Sequence, residues 1–541
     1  MKKIRGKILI VVIFLVGIFL RLYKLDIIPT GFFRDEAALG YNAYSIWLTG
    51  KDEFGQTLPL IFRSFEVFFL PLYVYLSAPI VGILGLSVFS TRLLSALAGI
   101  FALISIFYIA NKIWNRKVAV FSLFILAISP WHILYGRGAF EGNLALTLFS
   151  FGFLYFTYFI ESERQKYCYL SFMFFALSMY SYQSERVVVP LLGLAILILN
   201  YKKLWNLRRI IILPAIFALV LLIPILSVTS KAASVHRAFG VSLFNKPLHG
   251  FNSELPKGFF NNNPYFLRIN QISGLYVSYF SPRNLFIEGD WEKQRSVDGN
   301  SVFYPWLLPF LLLGFWKLIK RRKPEDKFLL AWVLSAPIPA ALTSDPFHTY
   351  RSLLLYFPLA ILIAFGLAEA YTGIKQKFAF MVVFSGIAIL SLVYFIFNYA
   401  ITTQIVRARS WDFGYKEIVS FINENNFEKV IVHDPWTESY IHFLFFGKVR
   451  PEDYHEAVYE MNKPVDYYYQ SPEEIRPVKF EKLEFRLVDW PSERGNKGTV
   501  FVFWGEDLPE SEFITDPKIE LLREIHYPDG SVAYRIVGIK E

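Results

Sequence analysis

The stretch "EVFFLPLYVYLSAPIVGILGL", Glu66 to Leu86, decides how the chain is laid out. It is apolar and of spanning length, and every later segment changes sides with the way it is read. If it spans, Lys112, Arg116 and Lys117 face outward, and so do the later basic clusters. If it lies along the interface, the short basic loops all share one side: Lys2, Lys3, Arg5 and Lys7; Lys112, Arg116 and Lys117; Arg164 and Lys166; Lys202, Lys203, Arg208 and Arg209; Arg321, Arg322 and Lys323; Lys375 and Lys377. Short loops rich in Lys and Arg stay cytoplasmic, so the second arrangement is the better one. The run also contains Pro71 and Pro79 and is dense in Phe and Tyr, which favour the headgroup level. We read it as an interfacial segment.

Around it lies a membrane protein. Of 541 residues, 54% are hydrophobic, 18% aromatic and only 18% charged, and the mean hydropathy is +0.38. A soluble domain carries more charge and lacks repeated apolar runs of this length. The net charge of +10 falls between apolar runs, where it sets topology; nucleic acid is not expected as a partner. The one cysteine, Cys168, excludes an internal disulfide framework and a Cys-based zinc site. Expected spans are Ile8–Leu22, Thr91–Ala110, Val118–Leu134, Asn143–Ile160, Tyr167–Tyr182, Val187–Leu199, Ile210–Val228, Val302–Leu318, Phe328–Leu342, Ser352–Ala370 and Phe378–Tyr399. The first has no small-x-small cleavage site and is followed directly by charge, so it is expected to be retained. The expected fold is therefore a mostly α, polytopic bundle of about eleven transmembrane helices with a cytoplasmic N-terminus, in the plasma membrane.

The outer parts follow from that parity. They are Tyr23–Ser90, with helical character at Asp35–Leu48; a short loop around Tyr135–Glu141; Gln183–Arg186; the long Thr229–Ser301; and "TSDPFHTYR", Thr343–Arg351. Beyond Tyr399 the composition becomes mixed charged and aromatic. "YKEIVSFINENNFEKVIVHD" reads as a helix and a strand, "GTVFVFWGED" as a strand, and "REIHYPDGSVAYRIVG" as a hairpin about an Asp-Gly turn. The expected domains are a membrane domain, 1–399, and an extracytoplasmic α/β domain, 400–541.

Every polar cluster falls on the outer side. Ionisable groups near spans are costly unless they face water or each other. Carboxylates gathered with Arg and His at one face suit a lipid-linked phosphate ester: cations hold the phosphate, and a carboxylate activates a hydroxyl. Asp35 and Glu36 precede the apolar-periodic run Ala37 to Trp47; first-turn acids also stabilise a helix N-terminus, and spacing alone favours that role over a catalytic one. Arg137 and Glu141 are four apart at a span entry, as a site or as a local ion pair. His348 and Arg351 share a face if helical, suited to phosphate or to headgroup anchoring. Tyr182, Gln183, Glu185 and Arg186 form a hydrated loop or a substrate contact. Arg63 and Glu66 flank the interfacial run. "FSPRNLFIEGDWEKQRS" reads as a loop with the character of a lid. No phosphate-binding Gly-rich loop or HExxH is present. A nucleotide-sugar enzyme would keep an α/β domain in the cytoplasm; here it is expected outside, which points to a lipid-carried donor.

In "FFRDEAALGYNAYSIWLTGKDEFG", the Pro-containing "FLPLYVYL", "STRLLSALAGIFALISIFYIANKIWNRK", "SPWHILYGRGAFEGNLAL" and the later His-x-x-Arg, the chain resembles the GT-C membrane glycosyltransferases. Within them it is most similar to the protein O-mannosyltransferase and aminoarabinose-transferase-like group, over roughly Met1–Tyr399. The resemblance implies a polyprenyl-phosphate sugar as donor, a glycan, lipid or protein acceptor, and inverting transfer at the outer face. It implies Asp35 as general base, Glu36 shaping the loop and Glu141 orienting acceptor or donor. It further implies Arg63, His348 and Arg351 on the donor phosphate; Arg137, Glu66, Tyr182 and Arg186, by their place at the outer loops, are candidate substrate contacts. The aminoarabinose transferases carry a Lys before Pro-Pro-Leu where this chain lacks the Lys and the first Pro. Some relatives use a divalent metal; the first outer loop here has no DxD, and no cofactor is expected. Two other classes fit the bulk pattern: a transporter or flippase for a lipid-linked glycan, which would want polar residues near the midplane or an internal repeat, and a non-catalytic scaffold with an outer binding domain.

Overall fold

The computed structural model describes residues 2–65, 67–229, 242–246, 263–321, 323–436, 438–461, 467–468 and 479–540. Glu66 and much of the expected fourth outer loop, 230–241 and 247–262, lie outside the described residues. The described residues fall into two compact units, one within Met1–Tyr23, Ser95–Ser230 and Val235–Asn398, the other within Lys24–Leu94 and Tyr399–Glu541.

The first unit is a helical bundle. It contains α1 (Lys2–Leu22) and, after the second unit's α2 (Arg34–Thr49) and α3 (Pro71–Leu84), most of α4 (Val88–Ile113). Then come α5 (Arg116–Ile128), α6 (Pro130–Tyr135), α7 (Glu141–Ser162), α8 (Gln165–Met179), α9 (Glu185–Asn206) and α10 (Arg208–Thr229). Later helices are Pro264–Ser278, Leu308–Arg321, Pro324–Ser335, Leu353–Gly373 and Lys377–Phe397. Leu353–Gly373 is the axis of the unit, 89% buried over its apolar window. Its backbone meets that of Leu308–Arg321 directly. A Cβ on Gly366 would lie 1.9 Å from the Phe310 carbonyl oxygen, and one on Gly314 2.1 Å from that of Leu362. Small residues permit this approach where lipid offers no hydrophobic drive.

Among the described residues, six helices are long and apolar enough to cross a membrane alone: α4, α7, α9, Arg208–Val228, Leu353–Gly373 and Lys377–Val406. The sequence reading expected about eleven spans; of the other five, α1 covers Ile8–Leu22 as one helix and four are shorter or interrupted. Val118–Leu134 is not one helix. Pro130 has no N–H to continue α5, Ser129 is extended (φ −64°, ψ 126°), and α6 starts afresh with Pro130 in its first turn. Phe328–Leu342 is also interrupted: Pro324–Ser335 ends just before Pro337, which has no N–H, and a short helix Ile338–Ala341 follows. Val302–Leu318 becomes a helix only from Leu308, behind a turn at Pro305. α8 has 15 residues, and α1 is charged at both ends.

In the second unit α3 is 14 residues long, roughly 21 Å at 1.5 Å per residue against about 30 Å of hydrocarbon. That length fits the interfacial reading. A short ribbon, β1 (Phe62–Ser64) and β2 (Val67–Phe69), leads into it. The C-terminal part holds a six-stranded sheet in the order β4-β5-β3-β6-β8-β7: β3 (Lys429–His433), β4 (Lys479–Phe480), β5 (Leu483–Arg486), β6 (Thr499–Trp504), β7 (Ile519–His526) and β8 (Val532–Ile539). β3 runs parallel to β5 and β6; the other pairs are antiparallel. Ile431, Phe501, Phe503 and Val537 form its core. The β7–β8 turn is the expected Asp-Gly turn, with Gly530 at φ +87°. α2 packs on the helix Tyr440–Gly447. A Cβ on Gly40 would lie 2.5 Å from Thr91 Oγ1 and 2.7 Å from the Phe445 ring.

Candidate active site

In the second unit, α2 opens with Asp35 and Glu36 in its first turn. Glu36 is gripped by Arg92 of α4: Nε donates to Oε1 and Nη2 to Oε2, both at 2.9 Å. Glu36 also accepts the Phe33 N–H at 3.2 Å. Arg92 is fully buried, and its remaining donors reach the carbonyls of Leu25, Pro29 and Gly31 at 3.2, 3.1 and 3.0 Å. A buried ion pair is tolerable only when its other donors and lone pairs are met; here the loop backbone meets them. The pair therefore fixes the connection that delivers α2. Asp35, half-buried, is the neighbouring carboxylate on that fixed turn. On its other side Arg34 donates its backbone N–H to Asp412 at 2.9 Å and pairs with Glu438. Burial works against ionisation of Asp412, but His442 and Arg34 outweigh it and hold the carboxyl below its ordinary value.

Arg63, on β1, is enclosed at 1% exposure. Its Nη1 donates to the Tyr467 carbonyl at 3.1 Å, its N–H donates to the Tyr467 hydroxyl at 3.0 Å, and its guanidinium lies over the Phe68 and Tyr467 rings. In this structure that side chain braces the ribbon. Two acids of the same loop are buried, Glu53 with no cation acting on it among the described residues and Asp52 with Arg63 offsetting part of the burial cost. Burial pushes Glu53 up to about 8 despite hydrogen bonds from Asn42 and Tyr440. It pushes Asp52 up to about 6 despite hydrogen bonds from Tyr467, Gln56 and Phe54.

In the first unit, Glu141, Tyr182, His348 and Arg351 come together around Tyr350. Its hydroxyl bonds the Glu141 carboxylate and accepts the Gly142 N–H at 2.8 Å. Its ring packs on Tyr182 at 4.7 Å and Tyr135 at 5.5 Å between centroids. Ser184 donates to the Arg351 carbonyl at 3.0 Å and Ser181 to that of Glu141 at 2.8 Å. His348 accepts the Arg351 N–H on Nδ1 at 3.2 Å, and its own N–H goes to the Tyr279 hydroxyl at 3.0 Å. Arg351 Nη1 lies 3.0 Å from Asp345 Oδ2. Arg295 meets His348 Nε2 and pairs with Asp290 at 3.1 Å. Asp290 in turn accepts both the N–H and the hydroxyl of Thr349, at 2.8 and 2.7 Å. The crevice beside Asp290 and Arg295 measures about 20 Å³, room for about one water.

Two expected substrate contacts cap helices. Arg137 donates to the carbonyls of Leu20 and Tyr23, at 2.9 and 2.7 Å, at the end of α1. Arg186 donates to Met179 at 3.2 Å, at the end of α8, and to Gln183 Oε1 at 3.1 Å. Cations at helix C-termini satisfy otherwise orphan carbonyls. Sequence reasoning missed Arg92, Asp290 and Arg295. A lone cation at a span entry was a visible signal for Arg92; Asp290 and Arg295 sit in a loop without one. Among the described residues no three His, Cys, Asp or Glu side chains are placed to hold a metal ion.

Residues 70–227 match the family model described as dolichyl-phosphate-mannose-protein mannosyltransferase. No curated protein matches by sequence. Among solved structures the chain is similar to ArnT from Cupriavidus metallidurans in the apo state, with TM-score 0.56 and 12% identity over 99% of this chain and 98% of that one. The same protein bound to undecaprenyl phosphate gives 0.50 and 12% over 98% and 97%. The Archaeoglobus fulgidus oligosaccharyltransferase tethered with an acceptor peptide gives 0.52 and 12% over 98% and 74%. At this identity the structural matches carry the fold. The chain thus shares the architecture of these membrane glycosyltransferases, has several helices apolar enough to cross a membrane, and is similar over residues 70–227 to the mannosyltransferase family model.

Proposed function

We propose that the chain transfers a sugar from a polyprenyl-phosphate donor to an acceptor hydroxyl at the extracytoplasmic face, with inversion. Asp35 takes the proton from the acceptor hydroxyl as its oxygen attacks the anomeric carbon. The bond from that carbon to the phosphate oxygen breaks, and the polyprenyl phosphate leaves with the electron pair. A leaving phosphate needs charge stabilisation rather than protonation, which His348, Arg351 and Arg295 supply. Glu141, hydrogen-bonded to Tyr350, orients a sugar hydroxyl. The N-terminus lies in the cytoplasm, and the first outer loop and residues 400–541 outside it. The acceptor is a glycan, lipid or protein hydroxyl.

The observation that carries this reading is the Arg92–Glu36 clamp. It commits one acid of the Asp-Glu pair to fixing the loop and leaves the half-buried Asp35 on a rigid turn, as a general base requires. The donor class is supported by the family segment and by a fold shared with a protein solved with undecaprenyl phosphate. Mass spectrometry of lipids co-purified with the protein tests the donor: a polyprenyl-phosphate sugar is expected. Asp35→Asn tests the chemistry: transfer is lost while donor lipid stays bound. A scaffold would be indifferent to that change, and a flippase would show no transfer to lose.

A further inference from the structure

The second unit contains a cleft of about 440 Å³, lined by Arg34, Asp412, Asp434, Trp436, Glu438 and Trp504 among others. That volume lies in the range of small-ligand sites, about 300–1,000 Å³. We propose that this cleft is a carbohydrate subsite in the extracytoplasmic domain and that it receives an acceptor glycan. The second half of the proposal rests on the transferase reading above; the first does not.

Three observations carry it. Large aromatic faces stand open at its wall: Trp436 is 61% and Trp504 36% exposed. Exposed tryptophans are expensive in water unless something stacks on them, and the CH face of a sugar ring does so. The polar lining is rich in acceptors. Asp412, Asp434, Glu438 and Glu506 outnumber Arg34 and Arg409. The two arginines are already engaged, Arg34 with Asp412 and Glu438 and Arg409 with Glu506. A phosphate would meet net negative charge there, whereas a neutral polyol supplies hydroxyl donors. Finally, His442 lines the cleft at 1% exposure, its ring stacked 4.3 Å from Tyr415, and its Nδ1 has no hydrogen-bond partner among the described residues. A buried polar atom without a partner is rare and invites a ligand or water.

An extended peptide is the rival occupant. Peptides commonly dock by adding a strand to a sheet edge. β6 and β8, which contribute Trp504 and Tyr534 to the cleft, are inner strands of the sheet, β6 between β3 and β8 and β8 between β6 and β7, and Trp504 itself pairs with Tyr534. No edge is available at that wall.

The test titrates the full chain in lipid nanodiscs with mannotetraose, cellotetraose and chitotetraose, and separately with a neutral Ser/Thr-rich peptide, by calorimetry. At least one oligosaccharide saturates. Trp436→Ala and Trp504→Ala each weaken it about threefold to tenfold. Trp436 is exposed enough that its truncation leaves the fold intact. The proposal is overturned if no oligosaccharide saturates, if both variants bind as the parent does, or if only the peptide binds. Sugar transfer is followed in the same preparation. Transfer without oligosaccharide binding overturns the cleft alone; binding without transfer supports the cleft and overturns the transferase reading.

Discussion

Arg92 in the first-loop unit and Arg351 in the helical unit hold carboxylates under opposite conditions. Arg92 has no exposed surface, grips both oxygens of Glu36 and spends its other donors on three loop carbonyls. Arg351 keeps 16% of its side chain exposed, and its partner Asp345 keeps 36%. The first pair cannot exchange its anion without stranding a charge in a dry site. The second can trade one anion for another at small desolvation cost. Guanidinium groups thus divide by burial into those that fix backbone and those suited to a phosphate, and Arg63 and Arg137 fall with the first kind.

The sharpest way to break that comparison is at the acid beside the clamp. Asp35→Asn is expected to lower kcat by about 10³-fold, roughly 4 kcal/mol, with co-purified donor lipid unchanged; retained turnover would leave the clamp with nothing to position. Next comes the clamp itself. Arg92→Met strands Glu36 and should cost about 3–5 kcal/mol in thermal unfolding, while adding Glu36→Met recovers more than half of that. Equal damage from the single and double changes would show that the loop carbonyls, not the carboxylate, are what Arg92 serves. Arg351→Ala tests the other side: the KM for donor rises about 10-fold to 100-fold, about 1.5–3 kcal/mol, with little change in unfolding temperature. A variant that unfolds instead would move Arg351 into the bracing class.

The smallest effect is in pH. Glu53 has a folded value near 8 against 4.5 for the free group, so the folded state holds that proton more tightly. Its contribution is fully present below about pH 4.5 and is lost as pH rises through 8. Asp52, raised to about 6, acts in the same direction. Denaturant melts of the full chain should therefore weaken from pH 5 to 8, and Glu53→Gln should flatten part of that slope.

Local signals were legible and distant ones were not. The start of α2 followed from its first-turn acids, α3 from Pro71 and its aromatic density, the β7–β8 hairpin from Asp529-Gly530, and the β3 core from Val430–Val432. The break at Ser129-Pro130 was written in the sequence, but hydropathy ran through it: residues on both sides are equally apolar, and only the missing N–H of Pro130 decides. The partner of Glu36 lies 56 residues away, and Arg295 lies 53 from His348. No periodicity connects such pairs; the packing of whole helices does. The grouping of Lys24–Leu94 with the C-terminal residues was equally invisible, because it rests on contacts such as Tyr41 with Val449 and Arg63 with Tyr467.

That grouping governs the order of assembly. Translation delivers Lys24–Leu94 early and its packing partners, from Tyr399 on, roughly 300 residues later, a wait of roughly 15 to 60 s at 5–20 residues per second. Until then α2 has no Tyr440–Gly447 to lie on, and Arg63 has no Tyr467. A chain stopped before Tyr399 would keep most of its bundle and still present an unfinished loop where Asp35 sits. The C-terminal tail therefore completes the same unit that carries the proposed base.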